Sequence, residues 1–188
     1  MNFAVLDEVK RPRLFLGILA QVQFMETTAM ASHGPKAAKP MWVPVAIPPQ
    51  APADQGMVDV DGSRLWYWDT GGTGNPVILL HAGTQSGAGW VYQQPVLAEA
   101  GYRVIGYSRR GYYRSDAGDT DDPGVGADDL HHLIQHLKLD VVDLVAAAQG
   151  GFFALDYVIA RPERVRSVAV ISSYMGITDA DYVMVNAR

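Results

Sequence analysis

The spacing of apolar positions changes along the chain, and each change marks an element. Residues 76–80, Pro76-Val77-Ile78-Leu79-Leu80, are apolar throughout, the pattern of a strand buried on both faces. Residues 103–107, 141–145 and 165–171 read as further strands. From 127 to 139 the period lengthens. Leu130, Leu133, Ile134 and Leu137 fall at i, i+3, i+4 and i+7, the stripe of an amphipathic helix. Residues 150–160 read as another helix, stopped before Arg161-Pro162 because the residue before a proline avoids the α conformation. Residues 89–100 are helical in character despite Pro95, and Gly101 ends them. Upstream, residues 57–60 and 63–68 flank Asp61-Gly62, a hairpin with a tight turn. Strands alternating with helices predict an α/β fold with a mostly parallel sheet covered on both faces and the hairpin as its antiparallel edge.

Residues 1–56 have a different texture. Lys10, Arg11 and Arg13 precede an apolar run at 14–20 and then Ala29-Met30-Ala31, the cationic, apolar, small-residue order of a secretory signal peptide. Asp7, Glu8 and Glu26 dilute that order, so a plain N-terminal helix over residues 1–31 is an equal reading. The first implies an exported or periplasmic protein, the second a cytoplasmic one. Residues 32–56 are rich in proline, which fixes φ and removes donors, so they read as a linker or an arm lying on the domain, anchored by Trp42 and Val43. Residues 57–188 are then the folded domain. No apolar run reaches the roughly 18 to 20 residues that span a bilayer.

Composition narrows the chemistry. With 48% hydrophobic residues, four Trp, nine Tyr and five Phe among 188, the chain can bury one substantial core, so global disorder is excluded. Its 15 Lys+Arg against 20 Asp+Glu leave a net charge of −5, which offers no electrostatic footprint for nucleic acid or anionic lipid. With no cysteine, disulfides, thiolate nucleophiles, iron–sulfur clusters and Cys-based zinc sites are ruled out.

In open α/β sheets the working residues lie on loops at the carboxyl ends of strands. Three such loops stand out: His81-Ala82-Gly83-Thr84, then Ser108-Arg109-Arg110-Gly111-Tyr112-Tyr113-Arg114-Ser115, then Ala146-Ala147-Ala148-Gln149-Gly150-Gly151. Together with Arg161-Pro162-Glu163-Arg164-Val165, they resemble the α/β-hydrolase superfamily in order and spacing over residues 57–178. The resemblance implies that the third loop is a nucleophile elbow, with Ala146 and Gly150 in its small flanking places and Ala148 in the nucleophile's place. It implies oxyanion donors at Gly83 or Thr84 and at Gln149, and a substrate cleft touched by His81, Arg109 and Tyr112. It also implies an acid at Asp179 or Asp181, and no cofactor. The chain departs from the family pattern at Ala82 and Tyr113, where glycine is usual, and at Ser108, where aspartate is usual. The departure at Ala148 matters most: a methyl group has no lone pair and no acidic proton, so it cannot attack an acyl carbon. The five histidines, His33, His81, His131, His132 and His136, all precede Ala148, whereas the family's catalytic histidine follows the eighth strand.

The expected parent activity is hydrolysis of an ester, lactone or similar small apolar substrate, with this chain inactive by the Ser-His-Asp route. Alternatives are a non-catalytic, receptor-like protein binding a small ligand in the same cleft, and a cofactor-free lyase or oxygenase variant that would need a downstream histidine. His81 has a bland reading as a structural tie for the oxyanion loop, and Tyr112, Tyr113 and Arg109 one as a surface cluster. His132, His136 and Asp128 share a helix stripe that reads as a solvated flank rather than a metal site. Gly71-Gly72-Thr73-Gly74 precedes a strand, the reverse of a dinucleotide fingerprint. Because the resemblance implies later strands and a lid, the length reads as a fragment or remnant, marginally stable and open to self-association at an uncovered sheet edge.

Overall fold

The computed structural model of the protein describes residues 45–173. The suggested leader, Trp42, Val43, Asp179 and Asp181 lie outside the described residues.

The hairpin pairs β1 (Asp54–Val60) with β2 (Ser63–Asp69) in antiparallel register from Asp54↔Asp69 to Val60↔Ser63. Gly62 turns the chain at φ +69°, a conformation that glycine reaches without steric cost. Three buried parallel strands follow in space: β4 (Arg103–Tyr107), β3 (Pro76–Leu80) and β5 (Val142–Ala147), with β6 (Val165–Ile171) beyond. The sheet order is β1-β2-β4-β3-β5-β6, antiparallel through β1, β2 and β4 and parallel from β4 to β6. The expected mixed, mostly parallel sheet is therefore the observed one.

Helices α2 (Gly126–His136) and α3 (Gly150–Ala160) share one core with the first face of the sheet. The period of two along β3 shows how. Ile78 and Leu80 join Leu130, Leu133, Ile134 and Tyr157, whereas Val77 and Leu79 join Trp66, Trp68 and Trp90 on the opposite face. Leu97 and Ala98 of α1 (Gln93–Glu99) pack against that second cluster. A strand apolar at every position is thus needed because both faces are covered.

Helix α1 is shorter than the run 89–100 suggested. A single 3-10 turn at Gly87–Gly89 precedes it, and Trp90 through Tyr92 form the passage between them. Pro95 sits in the first turn of α1, where its missing N–H has no intrahelical partner to lose. Residues 45–53 lie across this helix. The Tyr92 hydroxyl donates to the Val45 carbonyl at 2.9 Å, and Gln50 Nε2 to that of Val91 at 2.8 Å. Buried Gln94 exchanges two bonds with the Ala51 backbone, at 2.9 and 2.7 Å, so its amide is satisfied at both ends.

Candidate functional site

Strand β5 ends at Ala147 and α3 begins at Gly150, which leaves two residues to reverse the chain. Ala148 does this at φ +47°, a left-handed conformation that costs a residue with a Cβ roughly 1–2 kcal/mol. Two bonds hold it there: Ala148 N–H donates to the Ile171 carbonyl at 2.8 Å, and Gly151 N–H to the Ala148 carbonyl at 2.9 Å. A side chain at Gly150 would collide with the Leu80 and His81 carbonyl oxygens, so only glycine lets α3 start this close to β3. Ala148→Gly should remove the strain and, after glycine's own entropy cost, stabilise the fold by about 0.5–1 kcal/mol. Thermal denaturation should show a gain of roughly 1–4 °C, and no gain would mean that the turn carries no strain.

The register Leu80↔Ala146 brings the loops after β3 and β5 side by side. His81, at the head of the first, is completely buried. Its Nε2 accepts the Arg109 N–H at 3.1 Å, so Nδ1 carries the proton and donates to the Ala82 carbonyl at 2.7 Å. Burial, with a smaller contribution from the Arg109 charge, lowers its pKa to about 4. A neutral imidazole with both nitrogens engaged ties loops together and has no free nitrogen to serve as a base. Ala82 keeps a negative φ, which explains why glycine is unnecessary there.

Arg109 is the hub of the cluster. Buried to 7% exposure, it donates through Nη1 to the His81 carbonyl at 2.7 Å and through Nη2 to Gln149 Oε1 at 3.0 Å. Its guanidinium carbon lies 5.0 Å from the Tyr112 ring centre and 4.7 Å from that of Phe153. The Tyr112 hydroxyl donates to the Gly83 carbonyl at 3.0 Å, and its ring meets His81 edge-on at 4.6 Å between centres. The Gln149 carboxamide folds over Gly83, where a Cβ would come within 2.7 Å of Oε1. The backbone N–H groups of Gly83, Thr84 and Gln149 donate to no backbone carbonyl in the described turns and loops. His81, Gly83, Arg109, Tyr112, Ala148 and Gln149 are therefore one cluster, with Thr84 exposed at its rim.

The loop after β4 shows why its substitutions are tolerated. Ser108 Oγ accepts the Gly87 N–H at 3.1 Å, and Ser115 Oγ donates to the Ser108 carbonyl at 2.7 Å while accepting the Trp66 N–H at 2.9 Å. The left-handed positions are Gly111 at φ +74° and Arg114 at φ +61°, so Tyr113 needs no glycine-like freedom. Arg110 leaves the cluster and grips Asp129 with Nε at 2.8 Å and Nη2 at 2.7 Å. Sequence reasoning missed the Gln149 carboxamide as a partner of Arg109, and it missed Phe153. The signal available was the pair Arg109-Arg110, one of which had to find a non-acidic setting or a second carboxylate.

The histidine helix divides among other partners. His136 Nε2 lies 3.1 Å from the Tyr67 hydroxyl, His131 Nδ1 lies 3.2 Å from that of Tyr157, and Asp128 pairs with Arg161 at 2.7 Å. Among the described residues no three His, Cys, Asp or Glu side chains are grouped to hold a metal ion. A cavity of about 300 Å³, lined by Gln50, Trp68, Trp90 and Gln94 among others, lies beneath residues 45–53 and shares no residue with the elbow cluster.

A family model described as alpha/beta hydrolase fold matches residues 75–187. A non-heme chloroperoxidase of Kitasatospora aureofaciens is 36% identical over 115 residues, 60% of this chain and 42% of the relative. Epoxide hydrolase A of Mycobacterium tuberculosis is 30% identical over 131 residues, 65% of this chain and 39% of the relative. Among solved structures, a bromoperoxidase from Bacillus anthracis matches with a TM-score of 0.57 at 32% identity, covering 68% of this chain and 49% of its own. The chain thus spans less than half the length of the curated relatives it matches.

Proposed function

Because the chain belongs to the alpha/beta hydrolase fold family, we propose that its elbow site takes a small organic molecule of the ester, lactone or epoxide kind and does not turn it over covalently. Such a ligand would present an oxygen to the Gly83 and Gln149 N–H groups, as an acyl oxygen does in an oxyanion site. The observation that carries this reading is Ala148 itself: the strained backbone that lifts a nucleophile is kept, and the side chain at its apex is a methyl group. The names of the relatives, an epoxide hydrolase and a chloroperoxidase, are in keeping with a small ligand. Two supporting facts concern proton transfer. His81 is neutral and fully engaged, and on α2 His131 and His136 lie against the hydroxyls of Tyr157 and Tyr67.

The test is covalent chemistry at the elbow. Incubated with p-nitrophenyl acetate, the 188-residue protein should release no burst of nitrophenol, and a fluorophosphonate probe should add no mass to it. A burst approaching one equivalent per chain would overturn the reading. Ala148→Ser is expected to stay slow, because an unactivated hydroxyl in an oxyanion site retains only the roughly 10³–10⁴-fold advantage over water that remains when a triad is incomplete.

A further inference from the structure

We propose that Arg109 is the recognition cation of the elbow site, and that beside neutral molecules of the ester or lactone kind the site takes the small monocarboxylate with an apolar tail that forms their acid part. The inference rests on the elbow binding small molecules without turnover and extends their class to the anion. It begins from an imbalance of charge. The other well-buried arginine, Arg110, is matched by Asp129, and half-buried Arg103 by Asp69. Arg109 is more than nine-tenths buried and pairs with no carboxylate among the described residues. Its partners are a carbonyl, a carboxamide and two aromatic faces, all neutral. A buried charge without a counter-charge is among the costlier arrangements in a protein interior.

Two further features of the site favour a negative ligand. The N-terminus of α3 adds its dipole at Gln149, and no acidic side chain occupies the first turn of that helix. The Gly83 and Gln149 N–H groups add two donors. His81 is held neutral and Ala148 contributes nothing ionisable, so no group of the cluster balances the guanidinium. This excess of positive charge stands in a chain whose net charge is −5. One bond of Arg109 is also easy to exchange. Gln149 Oε1 is a neutral acceptor on a half-buried side chain at the helix start, and a carboxylate taking its place at Nη2 would form a charge-assisted bond about twice as strong. The rings of Tyr112 and Phe153, which flank the guanidinium, offer a surface for a short alkyl tail.

The experiment titrates the protein with sodium butyrate and, separately, with its uncharged isostere butyramide at constant ionic strength, following the melting temperature and chemical shifts. Butyrate should bind saturably and at least tenfold more tightly than butyramide, and it should raise the melting temperature as the site fills. Gln149→Ala, which frees Nη2, should tighten butyrate several-fold, and Arg109→Gln should abolish the preference for the anion. Equal binding of the two molecules, binding of neither, or a Gln149→Ala variant with unchanged butyrate affinity would overturn the proposal. Should Arg109→Gln fail to fold, the other two comparisons decide it. A nitrophenol burst from the unmodified chain would instead strike the non-covalent reading, whatever the butyrate titration shows.

Discussion

Asp129→Ala should destabilise the fold by about 3–5 kcal/mol, read from the urea midpoint at neutral pH. Asp129 lies in the first turn of α2, and its carboxylate receives two bonds from Arg110, with both side chains at 10% exposure or less. Arg110 Nη2 also donates to the Asp61 carbonyl at 2.6 Å, so a single guanidinium ties α2 to the hairpin turn. Deleting the carboxylate leaves a buried cation without its counter-charge, which costs far more than the net contribution of the intact pair. The effect should reach the elbow cluster, because Arg110 adjoins Arg109 in the chain. Replacing both partners, Arg110→Met with Asp129→Leu, should recover most of the loss, since apolar side chains of similar volume need no counter-charge. A loss below about 1 kcal/mol for Asp129→Ala would show that the pair behaves as a solvated surface bridge.

Acid should destabilise the protein between pH 6.5 and about 4, with His81 alone contributing about 3 kcal/mol across that window. In the unfolded chain the imidazole gains its proton as pH falls through 6.5, whereas in the fold it stays neutral until about pH 4. The unfolded state therefore binds more protons throughout the window, and stability rises with pH there and falls as acid is added. Above pH 6.5 both states are neutral and the contribution is level. His131 acts in the same direction, its pKa lowered by burial and then by Arg161 and Arg164. Urea midpoints at several values from pH 7.5 to 4 should trace this slope, and His81→Gln should flatten most of it. A profile that is level for the unmodified protein would contradict a buried neutral imidazole at this position.

The parts of this fold that the sequence displayed are those governed by local pattern. The run of five apolar residues at β3, the helix stripe of α2 and the stop before Arg161-Pro162 each follow from one element meeting its neighbours, and the boundaries of β3, β4, α3 and β6 fall where the pattern places them. The pattern extends helix α1 too far because Trp90, Val91 and Tyr92 carry no breaker, and the 3-10 turn ahead of them is set by tertiary contacts such as Trp68 Nε1 donating to the Gly87 carbonyl. At the elbow, Ala148 and its glycine neighbours were legible through the family resemblance of the loop in which they stand. The pairing of Arg109 with Gln149 was not, since 40 residues separate them and nothing local in either segment requires the other. The neutral state of His81 was equally hidden: it depends on burial, which only the assembled fold supplies, and its tautomer depends on an Arg109 backbone N–H that approaches only when β3 and β4 lie side by side.

The bonds that fix the apex at Ala148 are all made by main-chain atoms, and the glycine beneath it is required by carbonyl oxygens. The shape of the turn is therefore indifferent to what its central side chain can do. Such a position is a socket: hydroxyl, carboxylate or methyl can be fitted into it without asking the chain to refold. A nucleophilic side chain can accordingly be removed from this position, or put back, by a change at one codon, while the backbone around it keeps its shape.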